Sequence, residues 1–170
     1  MALRNIIQEG DPTLTKPARE VTAFDERLHQ LLDDMWETLF DANGVGLAAP
    51  QVGILRRVAL VLELNGDEES DELEELTHEL INPVIIEEEG EQEGYEGCLS
   101  VPGVMGMVKR PLRVKVRAQN RQGEFYEIEG EGLTARAICH ELDHLDGKLY
   151  TRLCDELIPA VDAPDEEEDA

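Results

Sequence analysis

Two histidines and a glutamate near the end of the chain have types and a spacing that suit metal-assisted hydrolysis. His140 and His144 are four residues apart. In a helix they project from one face, one turn above the other, so both imidazoles can reach a single metal ion. Glu141 lies between them and can hang over a metal-bound water as its acid/base. The three residues predict the core of a hydrolytic metal site, provided that the segment is helical.

Local signals predict that helix over residues 135–146. Thr134 can act as its N-cap, good helix formers follow, and Gly147 stands where a left-handed C-terminal cap is expected. The two histidines could equally be polar neighbours on a solvated helix face, because this short pattern also occurs in proteins that bind no metal. On its own, the segment leaves both interpretations open.

A catalytic metal site needs three protein ligands and one open position, so the chain must supply a third ligand. His29 lies in the first predicted helix, His78 borders an acidic loop, and Cys154 has no neighbouring glycine to admit a substrate. Cys139 is rotated by about 100° around the helix and faces away from the two histidines. Cys98 follows a glycine at the apparent end of a strand, where a rigid element can present a thiolate. It is the favoured third ligand.

Length and cysteine content indicate the class of protein. The 170 residues predict one domain, residues 1–161, followed by an acidic tail at 162–170. Three cysteines at irregular spacing do not form a disulfide framework, which indicates a reducing compartment. The N-terminus lacks the apolar core of a signal peptide, and no run approaches membrane-spanning length. We expect a soluble, cytoplasmic protein that does not engage a membrane.

The formal net charge of −24 is concentrated in a few segments. Residues 67–76, 87–96 and 162–170 carry 19 of the 39 acidic residues and no Lys or Arg, which leaves 20 acids against 15 bases elsewhere. The excess acidity therefore belongs to loops and a tail, and the tail is too poor in apolar side chains to be ordered. This distribution argues against direct binding to the phosphate backbone of nucleic acids.

The remaining patterns predict an α+β fold, with short, mainly antiparallel strands packed around a C-terminal metal-binding helix and an N-terminal helix outside. Residues 22–25 resemble a capping box that opens the N-terminal helix, whose apolar stripe ends before Gly44. Residues 65–77 are expected to form an acidic loop with a helical turn at 72–76. The predicted strands are Val58–Leu64, Leu80–Ile86 as an edge strand or two short strands, and a hairpin of Leu112–Ala118 with Glu124–Glu129.

Small residues are unusually dense from Gly44 to Gly53. They let another backbone come close, either the protein's own or that of an extended ligand. Gln51 is the one side chain in this run with a directed polar group. Taken by itself, it is more simply explained as an amide that braces a turn.

Three segments, Gly44–Gln51, Glu96–Ser100 and His140–His144, resemble in order and separation the signature motifs of peptide deformylases. The resemblance extends from about Leu3 to Leu153, and the combination of three motifs is highly specific. It implies a hydrolase that removes the formyl group from the N-terminal formylmethionine of nascent polypeptides and releases formate. Metal binding then becomes the favoured interpretation of the two histidines.

The resemblance also implies a role for individual residues. Cys98 and the two histidines would bind the metal, usually Fe(II), with Zn, Ni or Co able to replace it. Glu141 would be the catalytic acid/base. The Gln51 side chain and the Leu99 backbone N–H would donate hydrogen bonds to the carbonyl oxygen, and preformed donors of this kind stabilise a tetrahedral oxyanion.

Backbone pairing is the expected mode of substrate binding. The nascent chain would lie extended between Val45–Gly46 and Gly97, and this pairing reads no side chain beyond the first. The methionine would enter an apolar pocket formed by Val45, Leu99, Ala137 and the ring of His140.

The chain departs from the family pattern at a few positions. Cys139 stands where many members have glutamine and adds a thiol that could be sensitive to oxidation. Residues 104–107 contain no basic residue where some relatives place an arginine near the substrate backbone. Some relatives also dock on the ribosome through a basic C-terminal extension, and the acidic tail argues against that mode here. Asp143 is expected to be structural and to pair with Arg110.

Two other interpretations compete with the deformylase prediction. A zincin-type metallopeptidase shares the two-histidine helix, but Tyr150 replaces the third histidine of the metzincin pattern, and only 26 residues follow His144. A non-catalytic formylmethionine-binding protein or a structural metal site could lose Glu141 and Gln51 without penalty, yet both are present. We expect neither alternative to hold.

Overall fold

The computed structural model describes residues 2–65 and 74–160. Within these ranges the α-helices are α1 (Glu26–Asp41) and α2 (Leu133–Leu145). The strands are β1 (Gly46–Ala48), β2 (Val58–Asn65), β3 (Glu74–Glu89), β4 (Gln92–Cys98), β5 (Val101–Arg110), β6 (Arg113–Gln119), β7 (Phe125–Glu131) and β8 (Leu157–Pro159). They pair antiparallel in two sheets, one of order β1-β2-β3-β6-β7 and one of order β4-β5-β8. The predicted α+β fold is confirmed.

Helix α1 covers one side of the five-stranded sheet. Its apolar stripe, which includes Leu32 and Met35, packs against Leu60 of β2 in a buried cluster. The N-cap is Asp25, whose carboxylate accepts a hydrogen bond from the backbone N–H of Leu28 at 3.1 Å. The capping box predicted to start at residue 22 is therefore displaced by one turn, because a carboxylate is the better partner for the free N–H groups of the first turn.

The chain turns sharply after the end of α1. Asn43, with a φ of 55°, is the left-handed residue that turns the chain, and Gly44 donates its N–H to the carbonyl of Leu39. Asparagine is one of the few residues besides glycine that enter this conformation at low cost. The turn sends the chain directly into β1.

Strand β3 is longer and more central than predicted. Its first half pairs with β2 and its second half with β6, and the register shifts between Ile81 and Val84. Pro83 lies at this shift, where its missing N–H costs no ladder hydrogen bond. The residue pair Asn82–Pro83 thus marks a change of partner within one long strand, and the predicted edge strand or pair of short strands is wrong, because β3 lies between β2 and β6.

Helix α2 packs on the five-stranded sheet beside the predicted hairpin, which is confirmed as β6 and β7. Ala135, Ile138 and Leu142 of α2 share a buried cluster with Val114 and Val116 of β6. The helix begins two residues earlier than predicted, with Gly132 and not Thr134 at the N-cap. On its other side α2 faces the β4–β5 hairpin, so it lies between the two sheets.

A few predictions fall outside the described residues. The acidic tail at 162–170 lies there, as do residues 72 and 73 of the expected helical turn, whereas 74–76 belong to β3. In the described part, no helix is long and apolar enough to cross a membrane.

Candidate active site

Three metal-binding side chains converge where β4 meets α2. The ligand atoms of Cys98, His140 and His144 all lie within 4.8 Å of one another. The sulfur of Cys98 is 3.3 Å from Nε2 of His144, both histidines are buried, and the thiol is half-buried. One thiolate and two imidazoles form a donor set suited to a first-row transition metal with an open position. The predicted ligand set is brought together by the fold.

The other candidate ligands lie elsewhere. His29 contacts the backbone carbonyl of Arg121, and His78 contacts Glu63 on the neighbouring strand. Cys139 faces a separate cavity of about 370 Å³ on the far side of α2. Burial raises the pKa of the Cys139 thiol to about 11, so the thiol stays protonated at neutral pH. The expected sensitivity of Cys139 to oxidation is therefore not favoured.

A buried carboxylate orients the first histidine. Oε1 of Glu96 accepts a hydrogen bond from Nδ1 of His140 at 2.8 Å, which leaves Nε2 to face the metal site. Arg110 holds the same carboxylate with two bonds of 2.8 and 2.9 Å. Burial alone would raise the pKa of Glu96, but the hydrogen bonds from Arg110 and His140 outweigh it and lower the pKa to about 2. Glu96 is thus ionised and fixes both the tautomer and the ring.

Two arginines connect this carboxylate to α2. Arg110 donates to Asp143 at 2.7 Å, so the predicted pairing is confirmed. Arg136 donates to Glu96 at 2.9 Å and is itself buried. The sequence patterns assign no role to Glu96 or Arg136. A usable signal exists nonetheless: Arg136 precedes His140 by four residues, and an arginine on that buried helix face requires a carboxylate partner.

Glu141 lies at the edge of the site with one oxygen unused. The residue is buried, and its Oε1 has no hydrogen-bond partner among the described residues. Burial is the main cause that raises the pKa of Glu141 to about 7. Gly46 of β1 packs directly against this carboxylate, because a Cβ built on Gly46 would overlap with it. The carboxylate can therefore exchange a proton near neutral pH from a fixed position.

Gln51 uses both ends of its side chain. Its Oε1 accepts a hydrogen bond from the backbone N–H of Ala48 at 3.0 Å, as a turn-bracing amide would. Its Nε2 donates to the hydroxyl of Ser100 at 3.1 Å and lies 3.6 Å from the sulfur of Cys98. Leu99 occupies the turn between β4 and β5, next to the thiol. Gln51 therefore braces a turn and also directs an N–H donor at the site.

A cavity of about 610 Å³ opens onto these residues. It is bounded by β1 and β4, the end strands of the two sheets in the described part of the chain. Gly97 lines the cavity, and a Cβ added there would make only ordinary contacts, at 3.7 Å, with Met105 and Val104. The predicted substrate-binding residues that line it are Val45, Gly46, Gly97, Leu99, Ala137 and His140.

Residues 3–158 match the family model described as polypeptide deformylase. The chain belongs to the polypeptide deformylase family. It is 52% identical over 162 residues to the peptide deformylase of Acetivibrio thermocellus, an alignment that covers 95% of this chain and 88% of the relative. Among solved structures, the peptide deformylase of Thermotoga maritima is 39% identical with a TM-score of 0.80. The match covers 91% of this chain and 99% of the Thermotoga maritima chain.

A third relative was crystallised with a peptide. It is the class I type b peptide deformylase of Acinetobacter baumannii bound to Met-Ala-Ser, which is 36% identical with a TM-score of 0.80. The match covers 89% of this chain and 98% of the relative's chain. The predicted family and enzyme class are confirmed by these matches. A zincin-type peptidase and a non-catalytic binding protein are not favoured, because both the motifs and the whole fold match deformylases.

Proposed function

We propose that this deformylase acts through Cys98, His140 and His144 as metal ligands and Glu141 as the acid/base. The family activity is removal of the N-formyl group from nascent polypeptides. The observation that carries the assignment of residues is the convergence of three ligand atoms within 4.8 Å beside a buried, partly unpaired carboxylate. A structural metal site would not need that carboxylate.

Fe(II) is the proposed native metal, and Zn(II), Ni(II) or Co(II) should be able to replace it. The donor set fits these ions because it combines one sulfur with two imidazole nitrogens, and Glu96 orients one imidazole from behind. When bound, such an ion acidifies water and polarises a carbonyl group.

Glu141 is the residue that we assign to proton transfer. A carboxylate with a pKa of about 7 can accept a proton from water and then donate it to the departing amine. One oxygen of this carboxylate would accept the proton. We assign the Gln51 side chain and the Leu99 backbone N–H as donors to the oxygen of the formyl group, since Gln51 already aims Nε2 at the site.

The substrate is proposed to bind as an added strand. β1 and β4 flank the cavity, so an extended peptide can pair between Gly46 and Gly97 while its methionine side chain enters the apolar end. The Acinetobacter baumannii relative binds the peptide Met-Ala-Ser, which supports a peptide beginning with methionine as the ligand. Because nascent polypeptides arise in the cytoplasm, we infer that the enzyme works there. A ribosome contact, if one forms, should not use a basic tail, because residues 162–170 are acidic.

Formate release tests the assignment. The Fe(II)-loaded protein should release formate from a formyl-Met tripeptide under anaerobic conditions, and Glu141→Ala should abolish the release while still binding metal. Cys98→Ala should lose both metal and activity. Formate release that survives Glu141→Ala at the wild-type rate would refute the proposed role of Glu141.

A further inference from the structure

Arg136 makes more contacts to the opposing hairpin than any role as a helix former requires. Its side chain is 8% exposed. One guanidinium nitrogen, Nη1, lies 2.9 Å from the carboxylate of Glu96, 3.2 Å from the carbonyl oxygen of Gly94 and 3.1 Å from that of Val108. The second, Nη2, reaches the amide oxygen of Gln92 at 3.5 Å. The whole fork is therefore directed at β4 and β5.

The acceptors are placed so that one side chain holds both strands. Gly94 of β4 and Val108 of β5 face each other in the ladder, and Arg136 bonds to the carbonyl of each. Glu96 lies two residues before Cys98 on the same strand. Arg136 thus contacts the hairpin immediately upstream of the thiol ligand.

The same face of α2 carries the histidine ligand. Arg136 and His140 are one turn apart, and Asp143 follows three residues later on that face. Asp143 accepts a bond from Arg110 of β5, so the helix is attached to the hairpin on both sides of His140. The thiolate comes from one element and the imidazoles from the other, and their spacing depends on how the two elements are held together.

We propose that Arg136 is a positioning residue, which clamps the β4–β5 hairpin onto α2 so that Cys98 stays at binding distance from His140 and His144. This inference rests on the proposed metal ligands. A planar guanidinium suits the task because its donors reach several acceptors at fixed angles, whereas a lysine offers a single point of attachment. Without Arg136, the carbonyl groups of Gly94 and Val108 lose a donor and Glu96 keeps only Arg110 and His140.

Cobalt binding provides the test, because the Co(II) spectrum reports geometry without any turnover. We compare Arg136→Gln and Arg136→Lys with the wild-type chain and with Arg113→Gln as a matched control. Arg113 also bonds to two carboxylates, Glu89 and Glu129, but it lies on the surface of the other sheet. Chelator competition gives the affinity, and the thiolate-to-cobalt charge-transfer band gives the sulfur contact.

Arg136→Gln should bind Co(II) at least tenfold more weakly than wild type and show a weaker charge-transfer band, with Arg136→Lys in between and Arg113→Gln unchanged. The kcat of Arg136→Gln should fall, while its KM changes little. Wild-type cobalt affinity and spectrum in Arg136→Gln, with only a lower Tm, would overturn the proposal and leave a purely stabilising role. Failure of both Arg136 variants to fold would overturn it as well.

The test separates this inference from the proposed function. A wild-type protein that releases no formate would refute the proposed chemistry. The cobalt comparison between wild type and Arg136→Gln would still decide whether Arg136 sets the spacing of the three ligands.

Discussion

The two ends of the Gln51 carboxamide face different partners, and this gives a single residue two separable roles. Oε1 is tied to the backbone of Ala48, which fixes the orientation of the side chain. Nε2 is left to point at Ser100 and Cys98. A donor fixed in this way needs little reorganisation when negative charge develops on a nearby oxygen.

Replacing Gln51 by leucine should therefore slow turnover far more than it weakens metal binding. Loss of one preorganised donor costs about 3 kcal/mol, or roughly a hundredfold in kcat. Steady-state deformylation and chelator competition measure the two effects. Ser100→Ala is the matched control, since it removes a partner of Nε2 but keeps the amide. Its kcat should fall less than that of Gln51→Leu. Unchanged turnover in Gln51→Leu would remove Gln51 from the mechanism.

At the scale of elements, Asp143 of α2 forms two ion pairs of very different exposure, one with Arg110 of the β4–β5 hairpin and one with Arg152, which follows α2 in the chain. Arg110 and Asp143 meet at 2.7 Å with side chains that are 5% and 20% exposed. Arg152 reaches the same Asp143 carboxylate at 3.3 Å, but its own side chain is 43% exposed. Water and salt screen the second pair far more than the first.

A double-mutant cycle on Arg110 and Asp143 should show strong coupling. The two alanine variants and their combination should give an interaction free energy of about 1–3 kcal/mol in urea unfolding, because Arg110 is buried and also binds Glu96. The matched cycle on Arg152 and Asp143 should give less than about 1 kcal/mol. Additive effects in the first cycle would show that the Arg110 contact contributes nothing to the attachment.

The elements also show which features a sequence can predict. The helix formers and capping residues around His140 and His144 are local signals, so the helix could be predicted from the sequence, and the four-residue spacing then places both imidazoles on one face. The partner change at Asn82–Pro83 depends on which strands lie alongside, and no local pattern carries that information. Arg136 illustrates the same limit: its helix propensity is all that a local pattern shows, whereas its side chain contacts a hairpin 28 to 44 residues away.

At the scale of the whole molecule, a falling pH changes the stability of the fold in two opposite ways, through the net charge of −24 and through the buried Glu96. Protonating surface carboxylates reduces self-repulsion, which favours the compact state. Glu96 acts in the other direction. Its pKa is lowered in the folded protein from 4.5 to about 2, so its contribution to stability is complete above pH 4.5 and is lost as the pH falls toward 2.

Comparison of the metal-free wild type with Glu96→Gln should isolate that contribution. The glutamine variant should be less stable at pH 7, because Arg110 and Arg136 then lose a buried counter-charge. Between pH 5 and pH 2 the gap should narrow by about 3 kcal/mol, which corresponds to the lowered pKa of Glu96. Urea unfolding at several pH values measures the difference in unfolding free energy between the two proteins. Because they differ by only one charge, the effect of surface self-repulsion nearly cancels in that difference. A gap that stays constant over this range would mean that the two arginines do not depend on the ionised form of Glu96.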